Sequence, residues 1–191
     1  MHKKLPAVFE YGLYLLILLT ILVLVPRFVL EKVLIDGESM ENSLFDGENI
    51  LIEKVSRYFG GPNRFDVIVF HKQDGAQKRT YVKRVIGLPG ETIQIIGDTI
   101  FINGEPIEEN FGKDPMVYAG LAAEPLVLGE DEYFVLGDNR TISADSRSTR
   151  IGVVKRSELE CIRASARIVF STSRTLSITE NSETSPRSVT R

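Results

Sequence analysis

Three short stretches of this sequence bring together residue types able to do chemistry. The first, Ile35-Asp36-Gly37-Glu38-Ser39-Met40-Glu41-Asn42-Ser43-Leu44, offers a serine hydroxyl two residues after a glycine. The second, Tyr81-Val82-Lys83-Arg84-Val85-Ile86-Gly87-Leu88-Pro89-Gly90-Glu91, offers a lysine amine among apolar neighbours. The third, Gly137-Asp138-Asn139-Arg140-Thr141-Ile142-Ser143-Ala144-Asp145-Ser146-Arg147, adds two more serines, two carboxylates and two guanidinium groups. Taken singly, each has an ordinary reading: a plain turn, a solvated strand lysine beside Arg84, and a tight turn closed by an Asp145–Arg147 salt bridge. Other chemistries lack their residues. The only histidines are His2 and His71, so a histidine-rich metal site is excluded. Cys161 is the single cysteine, so no intramolecular disulfide forms, and between Leu159 and Ile162 it reads as a small buried apolar residue. No cofactor or metal is expected.

The elements that must position these residues fall into three regions. Residues 1–33 begin with Lys3 and Lys4 and continue into an apolar block with no charge between Tyr11 and Pro26. Between Lys4 and Arg27 the only charge is Glu10, and a helix over that stretch is about 33 Å long. That length matches a hydrocarbon core of about 30 Å, so the segment reads as a transmembrane anchor. A cleaved secretory signal would need an A-x-A-like site after the apolar run, where the chain instead reads Leu24-Val25-Pro26-Arg27-Phe28. Lys3 and Lys4 on one side are balanced by Arg27 and Lys32 on the other, so the positive-inside rule barely decides orientation.

Residues 34–170 have the size of one domain. Short segments rich in Val, Ile, Phe and Tyr, bounded by turn residues, predict strands near 49–55, 66–70, 81–88, 92–96, 99–102, 132–136 and 167–170. Gly97-Asp98 and Asn103-Gly104 fall between such segments and suit two-residue hairpin turns. A helical turn is expected at most near 155–160. The fold class is therefore mainly β after one N-terminal helix. Residues 171–191 are rich in Ser and Thr with almost no bulky apolar side chains, and read as a disordered tail. A formal net charge of −3 argues against a nucleic-acid partner.

In their order and spacing, after a hydrophobic anchor, the three stretches resemble the type I signal peptidases. The resemblance covers most of the domain. Its motifs are Gly-x-Ser-Met, Tyr-Val-Lys-Arg-Val-Ile-Gly-Leu-Pro-Gly-Glu and Gly-Asp-Asn-Arg followed by Ser-x-Asp-Ser-Arg; Phe65-Asp66-Val67-Ile68-Val69-Phe70 and Ile102-Asn103-Gly104-Glu105 agree with it. It implies a signal-peptidase-like β-rich fold and a serine endopeptidase. Ser39 would be the nucleophile, Lys83 the general base and Ser143 the hydroxyl that orients the lysine. Asp145 and Arg147 would hold the last loop, and Asp138, Asn139 and Arg140 would shape the turn beside the lysine. Ile35, Met40, Leu44, Tyr81 and Val82 would line the pocket for a small substrate side chain, and the backbone N–H of Ser39 would help bind the oxyanion.

Physical chemistry is compatible with those roles. A serine hydroxyl is a weak nucleophile until a neighbouring base takes its proton. His71 is the only histidine inside the domain and reads as a solvent-facing strand end. A lysine can serve instead if desolvation lowers its pKa, and Val82, Val85 and Ile86 are the apolar neighbours able to contribute. The sequence departs from the family pattern at three places. Gly37 stands where some members have a serine that donates to the oxyanion, Asn42 where Ser-Met-x-Pro has proline, and Phe65 where a glycine usually precedes the aspartate.

The resemblance further implies exported preproteins as substrates, bound as extended strands on exposed sheet edges, with lipid contacted through the anchor. The expected location is the cell membrane, single-pass, with the N-terminus cytoplasmic, the catalytic domain outside and the protein monomeric. Rival readings are a specialised relative such as a conjugative pilin-processing peptidase, a non-catalytic anchored binding domain, and a self-cleaving SOS-type repressor. The repressor reading lacks the DNA-binding helix pair it requires.

Overall fold

The computed structural model describes residues 7–54, 60–74, 77–161 and 163–167. The tail assigned to 171–191, the segment 168–170 and the side chain of Cys161 lie outside what is described. Among the described residues the chain has one α-helix, α1 (Ala7–Val29), and the elements that follow are strands apart from two 3₁₀ turns, as the mainly β reading requires. Among the described residues, no helix is long and apolar enough to cross a membrane.

The strands form three antiparallel sheets. The first has the order β1 (Leu30–Leu34), β2 (Asn49–Glu53), β12 (Arg163–Arg167). The second has the order β10 (Val154–Lys155), β9 (Glu132–Leu136), β4 (Gln77–Gly87), β3 (Val67–Asp74), β11 (Leu159–Cys161). The third has the order β7 (Glu105–Ile107), β6 (Thr99–Ile102), β5 (Thr92–Ile96), β8 (Leu126–Val127). The ladder of the first sheet begins at Leu30, four residues before the start at 34 read from the sequence. The helical turn expected near 155–160 is one 3₁₀ turn, Arg156–Glu158, after which β11 begins.

Two-residue turns close the third sheet as their sequences dictate. Ile96 pairs with Thr99 across Gly97-Asp98, and Ile102 pairs with Glu105 across Asn103-Gly104. Asn103 and Gly104 both have positive φ (53° and 85°), the geometry that matches the twist of a hairpin and favours the Asn-Gly pair.

Alternation along β4 and β9 divides the core. Tyr133 and Val135 point to one side with Val85, Ile68 and Phe70. Phe134 and Leu136 point to the other, where Ile86 meets Ile93, Ile95, Ile100 and Ile102 of the third sheet. A third cluster, formed by Ile35, Met40, Leu44, Ile50, Ile52 and Val69, joins the first sheet to the second. The segment between β1 and β2, which carries Ser39, is seated on that third cluster.

Candidate active site

The Ser39 loop is built on its own backbone. Ile35 N–H donates to Glu48 O and Gly47 N–H to Ile35 O, which ties the base of the loop. Gly37 sits at φ 105°, and its N–H donates to Asp46 Oδ1 at 2.7 Å. A pair of linked turns follows, with Glu41 N–H on Glu38 O and Leu44 N–H on Met40 O. Met40, 1 % exposed, plugs these turns into the apolar cluster beneath. A hydroxyl whose chain neighbour is so fixed has little freedom to drift.

Lys83 lies on β4 directly opposite Ile68 of β3, and is only 3 % exposed. By strand alternation it shares a face with Val85, while Val82 and Ile86 point to the other side of the sheet. Of the three neighbours expected to dry the amine, one therefore stands beside it, joined by Ile68 from across the ladder. The Lys83 Nζ and Ser39 Oγ atoms are 2.6 Å apart, and Nζ also donates to Val82 O at 2.9 Å. Burial lowers the Lys83 pKa from 10.5 to about 8, against the opposing pull of the Asp145 and Asp138 carboxylates. At mildly alkaline pH the amine is neutral, and its lone pair can accept the Ser39 proton.

The loop from Gly137 to Arg147 closes the site from the third side. Asp145 is fully buried, accepts N–H groups from Gly137 and Arg147, and pairs with the Arg147 guanidinium through Nε and Nη2, both at 2.8 Å. Arg147 Nη2 also donates to Arg140 O. Ser146 is sewn to β9 by two hydrogen bonds with the Val135 backbone. Asp138, fully buried as well, receives the Arg84 guanidinium through Nε at 2.8 Å and Nη2 at 2.6 Å. Asn139 N–H donates to Ser39 O, so this loop grips the serine directly. Gly137 makes the approach possible: a Cβ there would lie 2.1 Å from Ser143 Oγ and 2.5 Å from Ser39 O.

The structure thus brings Ser39 and Lys83 together and sets the 137–147 loop against them. It does not form the expected hydrogen bond from Ser143 to Lys83. The Ser143 hydroxyl is buried with no hydrogen-bond partner among the described residues, and the second partner of the amine is the Val82 carbonyl. Ile35, Met40, Tyr81 and Val82 line a cleft of about 620 Å³ that also holds Ser39 and Lys83. Leu44 belongs to the apolar cluster behind that wall instead. His71 lies in a separate depression, where Nε2 meets Glu160 Oε2 at 2.7 Å and Nδ1 meets Thr80 Oγ1 at 3.0 Å.

Sequence reading missed three contributors. Ile142 and Ala144 also line the cleft, and the signal was present: two apolar residues inside an otherwise polar loop. Arg84 was treated as a neighbour of the lysine, yet its guanidinium joins Asp138, the Phe65 carbonyl and Ser43 Oγ. The segment 109–113 gave no signal at all.

The family described as Signal peptidase, peptidase S26 matches residues 8–170. Signal peptidase I P of Bacillus subtilis subsp. natto is 35% identical over 154 residues, covering 76% of this chain and 81% of that protein. Signal peptidase I of Bacillus licheniformis is 37% identical over 154 residues, with the same coverage of 76% and 81%. A crystal structure of a signal peptidase I from Enterococcus faecalis V583 is 35% identical and covers 54% of this chain and 97% of that one, with a TM-score of 0.44. The chain belongs to the signal peptidase family, peptidase S26, a family of serine peptidases.

Two predictions follow from the buried charges. Arg84→Met keeps the aliphatic stem but strands Asp138 without its cation, and breaking such a pair costs about 3–5 kcal/mol. Urea unfolding of the variant should show a loss of that order; a loss under about 1 kcal/mol contradicts the role given to the pair. Lys83→Met should stabilise the fold in a pH-dependent way. Between pH 8 and 10.5 the unfolded wild type binds more protons at Lys83 than the native state, so wild-type stability rises with pH across that window. The advantage of the methionine variant should be about 3 kcal/mol below pH 8 and vanish towards pH 10.5. An advantage independent of pH would show that Lys83 is not depressed.

Proposed function

We propose that this chain is a signal peptidase I that removes signal peptides from exported preproteins, with Ser39 as nucleophile and Lys83 as general base. The observation that carries the reading is the 2.6 Å approach of a dry lysine amine to a serine hydroxyl inside a cleft. Neutral Lys83 Nζ takes the proton as Ser39 Oγ attacks the scissile carbonyl carbon. The backbone N–H of Ser39 donates to the oxyanion that forms. The ammonium then returns its proton to the leaving amine, and an acyl ester remains on Ser39. In the second half Lys83 draws a proton from water, the hydroxide attacks the ester, and Ser39 leaves as the free hydroxyl.

The cleft suits an extended chain. β1 is the edge strand of its sheet, and β4 pairs with β9 only from Arg84 onward, so residues 79–83 keep a backbone edge open towards the cleft. A preprotein segment laid between these edges would gain main-chain hydrogen bonds, with Ile35, Met40, Tyr81 and Val82 bounding small pockets on alternate side chains. In this reading Ser143 orients Lys83 once substrate is bound.

The anchor is part of the same proposal. Leu13 to Val23 of α1 includes large apolar side chains 46% to 66% exposed all round the helix, with no layer of protein over them. A helix that is apolar all round needs a non-aqueous surrounding. Placed in a membrane, it would end only about a dozen residues before Ser39 and hold the cleft near the surface where exported chains emerge.

Two variants and the wild type test the chemistry on one model preprotein. Ser39→Ala and Lys83→Arg should both abolish cleavage, because arginine keeps its proton throughout the accessible pH range. Wild-type activity should rise with pH through about 8 as Lys83 is deprotonated. Substantial cleavage by the arginine variant contradicts the base assignment. Topology is tested separately. The full chain should resist alkaline extraction from membranes, and protease added to spheroplasts should digest the β-rich part while sparing Lys3 and Lys4. Extraction of the chain, or protection of its β-rich part, contradicts the proposed anchor.

A further inference from the structure

Two of the three departures from the family motifs coincide with unusual backbone. Asn42, where proline is usual, has φ 105°, and Phe65, where glycine is usual, has φ 71°. Proline is locked near −65° and cannot adopt the first conformation. A bulky aromatic in the second is a genuine outlier. Such conformations persist only where the surroundings over-determine them.

Both residues meet one segment that has no regular secondary structure. Asn42 Nδ2 donates to Phe111 O at 3.1 Å, and the Phe65 ring packs on the Phe111 ring with centroids 5.3 Å apart. The Arg84 guanidinium carbon lies 3.8 Å over the centre of the same ring. On one side of Phe111, Glu109 pairs with Arg140 at 2.6 Å. On the other, Lys113 N–H donates to Asp138 O at 2.8 Å, and Lys113 Nζ pairs with Glu41 at 2.5 Å. Residues 109–113 therefore contact the Ser39 loop, the strand of the lysine and the 137–147 loop.

We propose that the 109–113 strap is a positioning element for the reaction, and that Asn42 and Phe111 are positioning residues that fix Ser39 against Lys83. The proposal rests on the reading of Ser39 and Lys83 as the reacting pair. Ser39 and Lys83 arrive from different sheets, and Asn139, Arg84 and this strap each bridge the segments that carry them. Asn42 stands three residues beyond Ser39 in the same turn segment, so its hydrogen bond to Phe111 O helps to set how that segment sits about the plug of Met40. Misplacement by about 1 Å is enough to cost on the order of 100-fold in rate.

The test uses the full chain in detergent or lipid, with Ser39→Ala measured alongside. Asn42→Asp preserves shape and tolerance of positive φ but sets a carboxylate against the Phe111 carbonyl. Asn42→Gly preserves the backbone and removes the bond. Phe111→Leu keeps apolar bulk and removes the ring face beneath Arg84. In all three, kcat should fall about tenfold or more, by the same geometric argument. KM should stay within about twofold, and the rise of activity with pH should still centre near 8, because Lys83 remains buried. A merely structural strap would lower the melting temperature and leave kcat of the folded enzyme unchanged. Unchanged kcat in both Asn42 variants, or a loss confined to KM, overturns the proposal while an inactive Ser39→Ala leaves the reacting pair intact. Full activity of Ser39→Ala removes the pair itself, and the positioning role with it.

Discussion

A lysine amine can act as a base near neutral pH only if it is kept dry, and it is useful only if it touches the hydroxyl it must deprotonate. Those two demands conflict, because a group that reaches a substrate cleft is normally wet. In the proposed reading the conflict is resolved by placing Lys83 on an inner strand opposite Ile68, with its amine on Ser39 in the cleft. Most of the architecture serves that placement. β3 and β4 supply the apolar ladder, the early end of the β4–β9 pairing leaves the cleft open, and the cluster under Met40 holds the serine in range.

Keeping the amine dry has an electrostatic consequence. Two buried carboxylates, Asp138 and Asp145, stand near enough to favour its charged form. Each is matched by a guanidinium of its own, Arg84 and Arg147 respectively, through paired hydrogen bonds. This pairing limits their pull on Lys83 and binds the 137–147 loop to the sheet at the same time. Buried ion pairs contribute little net stability, but they penalise any arrangement that separates the partners. Their contribution here is geometric: separating either pair strands a buried charge, and with both formed Asn139 N–H meets the Ser39 carbonyl.

Much of the architecture was legible because it obeys local rules. In the third sheet β5 and β6 were readable residue for residue, since Gly97-Asp98 is a strong turn signal between alternating segments, whereas the three-residue β7 beyond Asn103-Gly104 was not. The very short strands β8 and β10, two residues each, carry too little pattern to be seen. β1 was hidden because Leu30-Glu31-Lys32-Val33-Leu34 follows the helix directly, with no turn residue to mark the boundary and two charges that break the apolar pattern. The site was legible through its motifs, whereas the organising role of Arg84 and the contacts of Phe111 were not. Both depend on partners distant in the chain, such as Asp138 for Arg84 and Asn42 for Phe111, and no periodicity or spacing reports them. The Ser143–Lys83 contact shows the converse: a motif names a pair without fixing the rotamer that would join it.

The central claim is that Lys83 is neutral in the working protein, and it can be read without any substrate. Carbon-13 labelling of the lysine ε-carbons, with the Lys83 resonance assigned by its loss in Lys83→Met, allows the side chain to be titrated directly in the full chain. The expected result is one lysine titrating at about 8, with Ser39→Ala leaving that value close to unchanged because burial is its main cause. A Lys83 resonance titrating with the ordinary lysines near 10.4 would contradict the claim that burial makes this amine a base.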